Sequence, residues 1–97
     1  MVNYLAVDAA RIRAGLPESA SVSDGADELF LLYAVLMRAK GVDVTAENVH
    51  DAWSAWMLGI DPKHESLVPF EELDAATRAE DSPFLLAIRR AAATQEE

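Results

Sequence analysis

Apolar residues recur at helical spacing in four separate stretches of the chain, and no stretch shows the alternating pattern of a β-strand. The first stretch predicts a helix over residues 3–14, closed by Gly15 and Pro17, since these two residues favour the end of a helix. The apolar stripe of this helix consists of Leu5, Ala9, Ile12 and Leu16. The serine-rich segment 18–25 has no apolar period and is predicted to be an exposed connection.

The second stretch predicts the most buried helix of the fold, beginning near Ala26 and ending at Gly41. Acidic residues stand in its first turn and basic residues in its last, which matches the helix dipole at both ends. Glycine is also the usual residue just after a helix C-terminus. The predicted apolar face comprises Leu29, Phe30, Tyr33, Leu36 and Met37, widened by Leu32 and Val35.

The second half of the chain predicts one long helix, an ordered loop and a last helix. Thr45 can cap a helix over residues 46–58, because its hydroxyl can accept from a first-turn N–H. Residues 60–70 contain two prolines and no helical period, so we expect an ordered loop. Shorter helical turns then follow, one started by Pro69 and running through Leu73, and one capped by Asp74 and running through Ala79. The last helix begins at Asp81-Ser82-Pro83, with an apolar face of Phe84, Leu85, Ile88, Ala91 and Ala92.

These elements predict an all-α fold, a small single-domain bundle of four to five helices with an ordered loop after the third helix. The length of 97 residues fits one domain over residues 1–97. Two N-terminal helices would occupy residues 1–45 and a helix-loop-helix portion residues 46–93. Residues 94–97 are expected to form a frayed tail.

Charge and composition narrow the expected partners. The chain carries 17 acidic and 8 basic side chains, and the net charge of −9 argues against binding to a nucleic-acid backbone. The longest apolar run, residues 29–37, is about half of what a membrane span needs, and the N-terminus lacks a signal-peptide pattern. We therefore expect a cytoplasmic protein without membrane contact. Abundant alanine and an excess of Arg over Lys are typical of a GC-rich genome, such as that of an actinobacterium or its phage. A phage-encoded protein would act in the host cytoplasm.

Catalytic and metal chemistry find little support in the sequence. Cysteine is absent, and the two histidines lack a recognised metal-ligand spacing, so no metal site is predicted. His50 and Ser54 resemble part of a catalytic triad, but no strained turn presents the hydroxyl. The four glycines are isolated, which excludes a phosphate-binding glycine loop. We expect neither an enzyme nor a cofactor.

The densest cluster of unusual residues lies between positions 48 and 70 and includes both histidines and both tryptophans. Aromatic walls with imidazole or cationic tips suit a flat anionic ligand such as a nucleotide. In the competing interpretation the two indoles belong to the core, and His64 locks the loop onto the helix by donating to a backbone carbonyl. The candidate ligand-binding residues are His50, Trp53, Trp56, Lys63, His64 and Phe70, with Arg89 and Arg90 as further candidates that could instead favour a helix C-terminus.

Two pieces of this cluster resemble the ryanodine receptor repeat (RyR) domain. They are Asn48-Val49-His50-x-x-Trp53 and Lys63-His64-x-x-Leu67-Val68-Pro69-Phe70-x-x-Leu73, and the resemblance spans residues 46–90. The usual Gly-Trp-x-Tyr-Gly segment is replaced here by Trp56-Met57-Leu58-Gly59, and Glu65 stands where proline is common. The resemblance implies a small, mostly helical, non-catalytic module, of a kind proposed in bacteria to sense nucleotide-derived ligands. It implies a ligand or structural role for His50, Trp53, Lys63, His64 and Phe70.

Two functions follow as expectations. In the first, the protein binds or sequesters a nucleotide-derived small molecule in conflict between phage and host. In the second, it is an acidic protein-protein interaction module that binds or occludes a partner protein and that could be a homodimer through its first two helices. Its negative charge would then steer association with a basic partner. The tryptophans separate the two. Full burial of Trp53 and Trp56 weakens the first function, whereas an indole at the edge of a cleft beside Lys63 and His64 favours it.

Overall fold

A computed structural model describes residues 3–20, 22 and 25–95 of the chain. It contains five α-helices and two short 3₁₀-helices, and none of the described residues is in a β-strand. The all-α prediction is confirmed. The α-helices are α1 (Tyr4–Ala14), α2 (Asp27–Lys40), α3 (Ala46–Leu58), α4 (Ala75–Ala79) and α5 (Ser82–Gln95), and the 3₁₀-helices are Gly41–Asp43 and Phe70–Glu72.

Side-chain caps set the starts of three helices. The Asn3 side chain accepts a hydrogen bond from the Ala6 N–H at the start of α1. Thr45 and Asn48 form a reciprocal capping box at α3, in which each side chain accepts from the backbone N–H of the other. Asp74 accepts from the Thr77 N–H at the start of α4. The predicted caps at Thr45 and Asp74 are therefore confirmed, and they explain why the predicted starts match.

Helix α2 occupies the centre of the bundle and packs against α1, α3 and α5. Its C-terminus ends at Gly41, whose φ of 60° is a left-handed value that glycine adopts readily. The prediction that Val35 widens the buried face is wrong, because Val35 lies on the far side of the helix and is 49% exposed. The residues of α2 that are buried are Leu29, Phe30, Tyr33, Ala34 and Met37.

The rest of the core comes from α1, α5 and the segment around α3. Ile12, Val44, Val49 and Ile88 are fully buried there. The guanidinium of Arg89 donates to the carbonyl of Val44 at 3.0 Å, which ties α5 to the segment before α3.

An ion pair joins α1 to α2. The Arg38 Nε lies 2.7 Å from the Asp8 Oδ2, and the Asp8 side chain is almost completely buried. The Arg38 guanidinium also lies over the ring of Tyr4, 4.8 Å from its centroid. The sequence pattern did not predict this contact, because Asp8 falls next to the apolar stripe of α1 and resembles an ordinary surface carboxylate.

The connection between α1 and α2 is only partly exposed, contrary to the prediction. Ala20 and Val22 are half-buried, and Val22 packs against the core. Ser21, Ser23 and Asp24 lie outside the described residues, and so do Glu96 and Glu97 of the predicted frayed tail.

The predicted ordered loop after α3 is a series of hydrogen-bonded turns. The Asp61 N–H donates to the Met57 carbonyl at 2.8 Å, and the His64 N–H donates to the Asp61 carbonyl at 3.0 Å. Over the part of the chain that the model covers, each helix is too short or too polar to cross a bilayer.

Ile88 provides a test of the packing. We expect Ile88→Ala to lower the free energy of unfolding by about 2–5 kcal/mol, because this fully buried side chain would leave a cavity between α5 and α2. Leu86→Ala is the matched control on the same helix, where the side chain is 56% exposed, and it should change stability by less than ~0.5 kcal/mol. Urea titration followed by circular dichroism measures both. Equal effects of the two variants would contradict the packing described here.

Candidate functional site

A cavity of about 510 Å³ opens between α2, α3 and the start of α5. The α1–α2 connection contributes Ser19, Ala20 and Val22, and the loop after α3 contributes His64 and Ser66. Helices α2, α3 and α5 each present aromatic rings to this space. The aromatic residues of the wall are Phe30, Tyr33, Trp53, Trp56 and Phe84.

Three of these rings pack on one another and form a continuous wall. Tyr33 and Phe84 have ring centroids 5.8 Å apart, and Phe30 meets Tyr33 edge-on at 5.7 Å. Such contacts add to the stability gained from burial and restrain the orientation of the rings. The wall is therefore held in shape by the core itself.

His50 fixes the loop after α3 to the helix. Its side chain is 3% exposed, and its Nε2 lies 2.7 Å from the carbonyl oxygen of Val68, so the Nε2–H donates to that oxygen. In the neutral ring the Nδ1 then carries the lone pair. The imidazole also stacks on Trp53, with centroids 5.7 Å apart and the ring planes 20° from parallel.

His64 does not lock the loop onto the helix in the way the sequence interpretation proposed. Its Nδ1 accepts the Ser66 N–H at 3.0 Å within the loop, and His50 makes the bond to a backbone carbonyl instead. Because Nδ1 accepts, the neutral ring carries its hydrogen on Nε2. The ring meets Trp53 edge-on, with centroids 5.1 Å apart.

A carboxyl group and a phenol lie on the α5 and α2 sides of the cavity. Burial raises the pKa of Asp81 to about 6, with His50 opposing this rise and Glu80 adding to it. Tyr33 is 1% exposed, and burial together with the nearby Asp81 raises the pKa of its phenol, which stays protonated at neutral pH. No described residue makes a hydrogen bond to the Tyr33 hydroxyl or to the Asp81 carboxylate.

Four of the six predicted ligand-binding residues line the cavity. His50, Trp53, Trp56 and His64 come together there, and both tryptophans are half-buried. The interpretation that both indoles belong only to the core does not describe them, because each ring packs on the core and also borders open space.

The other two predicted residues, Lys63 and Phe70, lie outside the cavity lining. Lys63 is exposed, and its N–H donates to the Asp61 carboxylate at 3.2 Å. Phe70 packs under the guanidinium of Arg78, which lies 5.0 Å from the ring centroid. Arg89 is engaged with the Val44 carbonyl, so its role is structural.

The cavity also contains residues that the sequence analysis missed. Tyr33 and Phe84 were assigned to helix faces, and Asp81 was assigned to the start signal of the last helix. For Tyr33, the sequence contains one signal of a role beyond packing, namely a phenol in the middle of an apolar helix face. The position of Asp81 beside His50 depends on how α5 packs against α3, which no local pattern shows.

Comparison with known families gives one match. A family model described as "Domain of unknown function (DUF7701)" matches residues 3–93. No curated protein and no solved structure shows a significant match to the chain.

The carboxyl group of Asp81 should make stability depend on pH. The folded protein holds this proton with a pKa of about 6, against an ordinary value of 3.8, so the folded state binds more protons between these pH values. Stability should therefore fall as the pH rises from about 4 to about 6. The same space is also lined by His50, His64, Glu80 and Tyr33. A comparison of the wild type with Asp81→Asn shows whether the fall in stability comes from Asp81.

Asp81→Asn removes this ionisation, so we expect its melting temperature to exceed that of the wild type by a few degrees at neutral pH. Below about pH 3 the two proteins should melt together, because Asp81 is then protonated in both states. Thermal unfolding followed by circular dichroism over this pH range measures the effect. Asp51→Asn, at an exposed position of α3, is the control, and parallel curves for wild type and Asp81→Asn would contradict the assignment.

Proposed function

Because the chain belongs to the DUF7701 family, whose description names no activity, we propose a function from the geometry of its cavity. The protein is a non-catalytic binding module that takes the flat ring of a small molecule, such as the base of a nucleotide-derived compound. The observation that carries this proposal is an aromatic cavity that also holds two oriented imidazoles.

The size and lining of the cavity support this proposal. Small-molecule sites typically measure 300–1,000 Å³ and combine apolar walls with a few polar groups. A cavity of about 510 Å³ walled by five aromatic rings falls within that range. Planar ligands gain most from such walls, because a ring can stack on or meet the edges of its neighbours.

The two imidazoles offer complementary hydrogen-bonding groups. With Nε2 of His50 bound to Val68, its Nδ1 is the ring atom left to accept, whereas His64 retains an Nε2–H that can donate. A heterocyclic base presents both donors and acceptors on its edge. The resemblance to the ryanodine receptor repeat domain supports the same proposal, since it implies a non-catalytic module.

The geometry around Ser54 supports a non-catalytic role. The Ser54 Oγ lies 3.4 Å from the His50 Nε2, the nitrogen that already donates to Val68 at 2.7 Å. A nitrogen that carries a hydrogen has no lone pair with which to remove a proton from the serine. This pair therefore lacks the arrangement of an activated nucleophile.

A second candidate function is the acidic protein-protein interaction module, and a groove on the outer side of α2 favours it. Leu31 and Val35 are exposed there beside Trp56, with Glu28 at the margin. The occupant we consider is a second copy of the chain, because a domain this small has a modest core that an interface would extend. Two copies with a net charge of −9 repel, so association should strengthen with salt.

The binding function is tested by thermal shift against nucleosides, nucleotides, cyclic dinucleotides and ADP-ribose derivatives. A true ligand at one hundred times its dissociation constant stabilises the fold by about 2.7 kcal/mol, which raises the melting temperature by several degrees. A flat response across all classes would contradict the proposal.

Variants of two neighbouring residues then show whether the ligand binds in the cavity. His64→Asn should weaken binding at least tenfold, or by about 1.4 kcal/mol, because the imidazole is lost. The asparagine side chain can still accept the Ser66 N–H two residues on, which preserves the turn. Lys63→Ala is the matched control outside the cavity, and titration calorimetry should give it the wild-type affinity. A loss with Lys63→Ala and none with His64→Asn would place the ligand elsewhere.

The self-association candidate is tested by light scattering after size exclusion. At high salt the wild type should approach the mass of a dimer, whereas the double variant Leu31→Ser and Val35→Ser should remain monomeric. Leu86→Ser, at an exposed apolar position of α5, is the control. A wild type that stays monomeric at high protein concentration and high salt would exclude this candidate.

A further inference from the structure

Among the described residues that line the cavity, acidic side chains occur and Lys and Arg do not. Glu80 and Asp81 line it, together with the two imidazoles, and none of the described lining residues is Lys or Arg. The cationic side chains that a phosphate would need lie elsewhere: Lys63 is outside the lining, and Arg89 is bound to the Val44 carbonyl. A phosphate inside this space would meet carboxylates.

The Tyr33 hydroxyl is available to hydrogen-bond a ligand. Tyr33 is 1% exposed as a residue and lines the cavity, and its hydroxyl makes no hydrogen bond to any described residue. Among the described residues no fully buried side-chain oxygen or nitrogen lacks a partner, so this hydroxyl keeps contact with the open space of the cavity. A bound molecule with N–H groups could donate to it there.

The faces of the aromatic rings add a second attraction for positive charge. Indole and phenyl faces carry partial negative charge and attract a cation placed over them. Trp56 and Phe84 border the same space as Asp81, whereas one face of Trp53 is stacked on His50. Aromatic faces next to a carboxylate are the combination that recognises organic cations in water.

We propose that the cavity selects a flat organic cation, such as an amidinium or a protonated heterocycle, whose N–H groups bind the Asp81 carboxylate and the Tyr33 hydroxyl. This inference rests on the proposed binding function and specifies its ligand class. For a nucleotide-derived ligand it requires that the base enters the cavity and that any phosphate stays outside.

The pH dependence follows from the groups that face the cation. Asp81 must be ionised to bind it, and the pKa of this carboxyl is raised to about 6 by burial, against the opposing effect of His50. Glu80 adds negative charge at the rim, Tyr33 stays neutral, and the imidazoles of His50 and His64 line the same space. Affinity for a cation should therefore rise as the pH increases from about 5 to about 7.5.

Three probes of the same shape and different charge test the inference. Benzamidine is cationic, benzamide is neutral and benzoate is anionic, so stacking on the walls is nearly equal for all three. Calorimetric or NMR titration at neutral pH should show benzamidine binding roughly tenfold more tightly than benzamide, with benzoate the weakest. The preference should shrink at pH 5.

Variants then assign the preference to the cavity. Asp81→Asn should abolish the advantage of benzamidine over benzamide, and Tyr33→Phe should reduce it. Asp51→Asn removes the same charge from the exposed face of α3 and should leave the preference unchanged, which separates a local contact from the field of the whole protein. Circular dichroism confirms that each variant is folded.

The results distinguish this inference from the proposed function. Binding of benzamide or benzoate as tight as that of benzamidine overturns the charge preference while leaving a small-molecule site in place. Absence of benzamidine binding at millimolar concentration also overturns the inference. The proposed function is decided separately by the nucleoside and nucleotide screen and by His64→Asn.

Discussion

The hydrogen bond from the His50 imidazole to the Val68 carbonyl is the contact on which the arrangement of the site depends. An almost fully buried N–H group must find an acceptor, and Val68 supplies one from the loop after α3. This bond brings an eleven-residue segment without a regular helix against α3, and it also fixes which ring nitrogen of His50 carries the hydrogen. One buried polar group thus determines both the position of the loop and the hydrogen-bonding character of the site.

The core and the cavity share the same side chains. Phe30 and Tyr33 belong to the buried face of α2, and the same rings form part of the cavity wall. Arg78 stabilises the far side of the loop, since its guanidinium donates to the carbonyls of Phe70 and Glu71. Because Phe30 and Tyr33 belong to the core, this part of the wall is as ordered as the fold, and a molecule entering the cavity would meet rings already in place.

Local patterns predicted the elements of this fold better than its site. Helix starts at Thr45 and Asp74 depend on a cap and the N–H three residues on, so a short stretch of sequence contains all the information. Residues brought together across helices carry no such local signature. Asp81 and Tyr33 are 48 positions apart and line the same cavity only because α5 packs beside α2. The composition of the cluster therefore indicated His50 and Trp53, which line the cavity, but it also included Lys63, which is not among the lining residues.

The placement of the two tryptophans has an optical consequence. Both indoles of the chain border the same cavity, and none is present elsewhere in the sequence. Ultraviolet emission excited in the indole band therefore originates beside His50 and His64, not from the bundle as a whole. The tryptophan fluorescence of the protein therefore reports on the space that the aromatic rings, the two imidazoles and the half-buried carboxyl group of Asp81 line together.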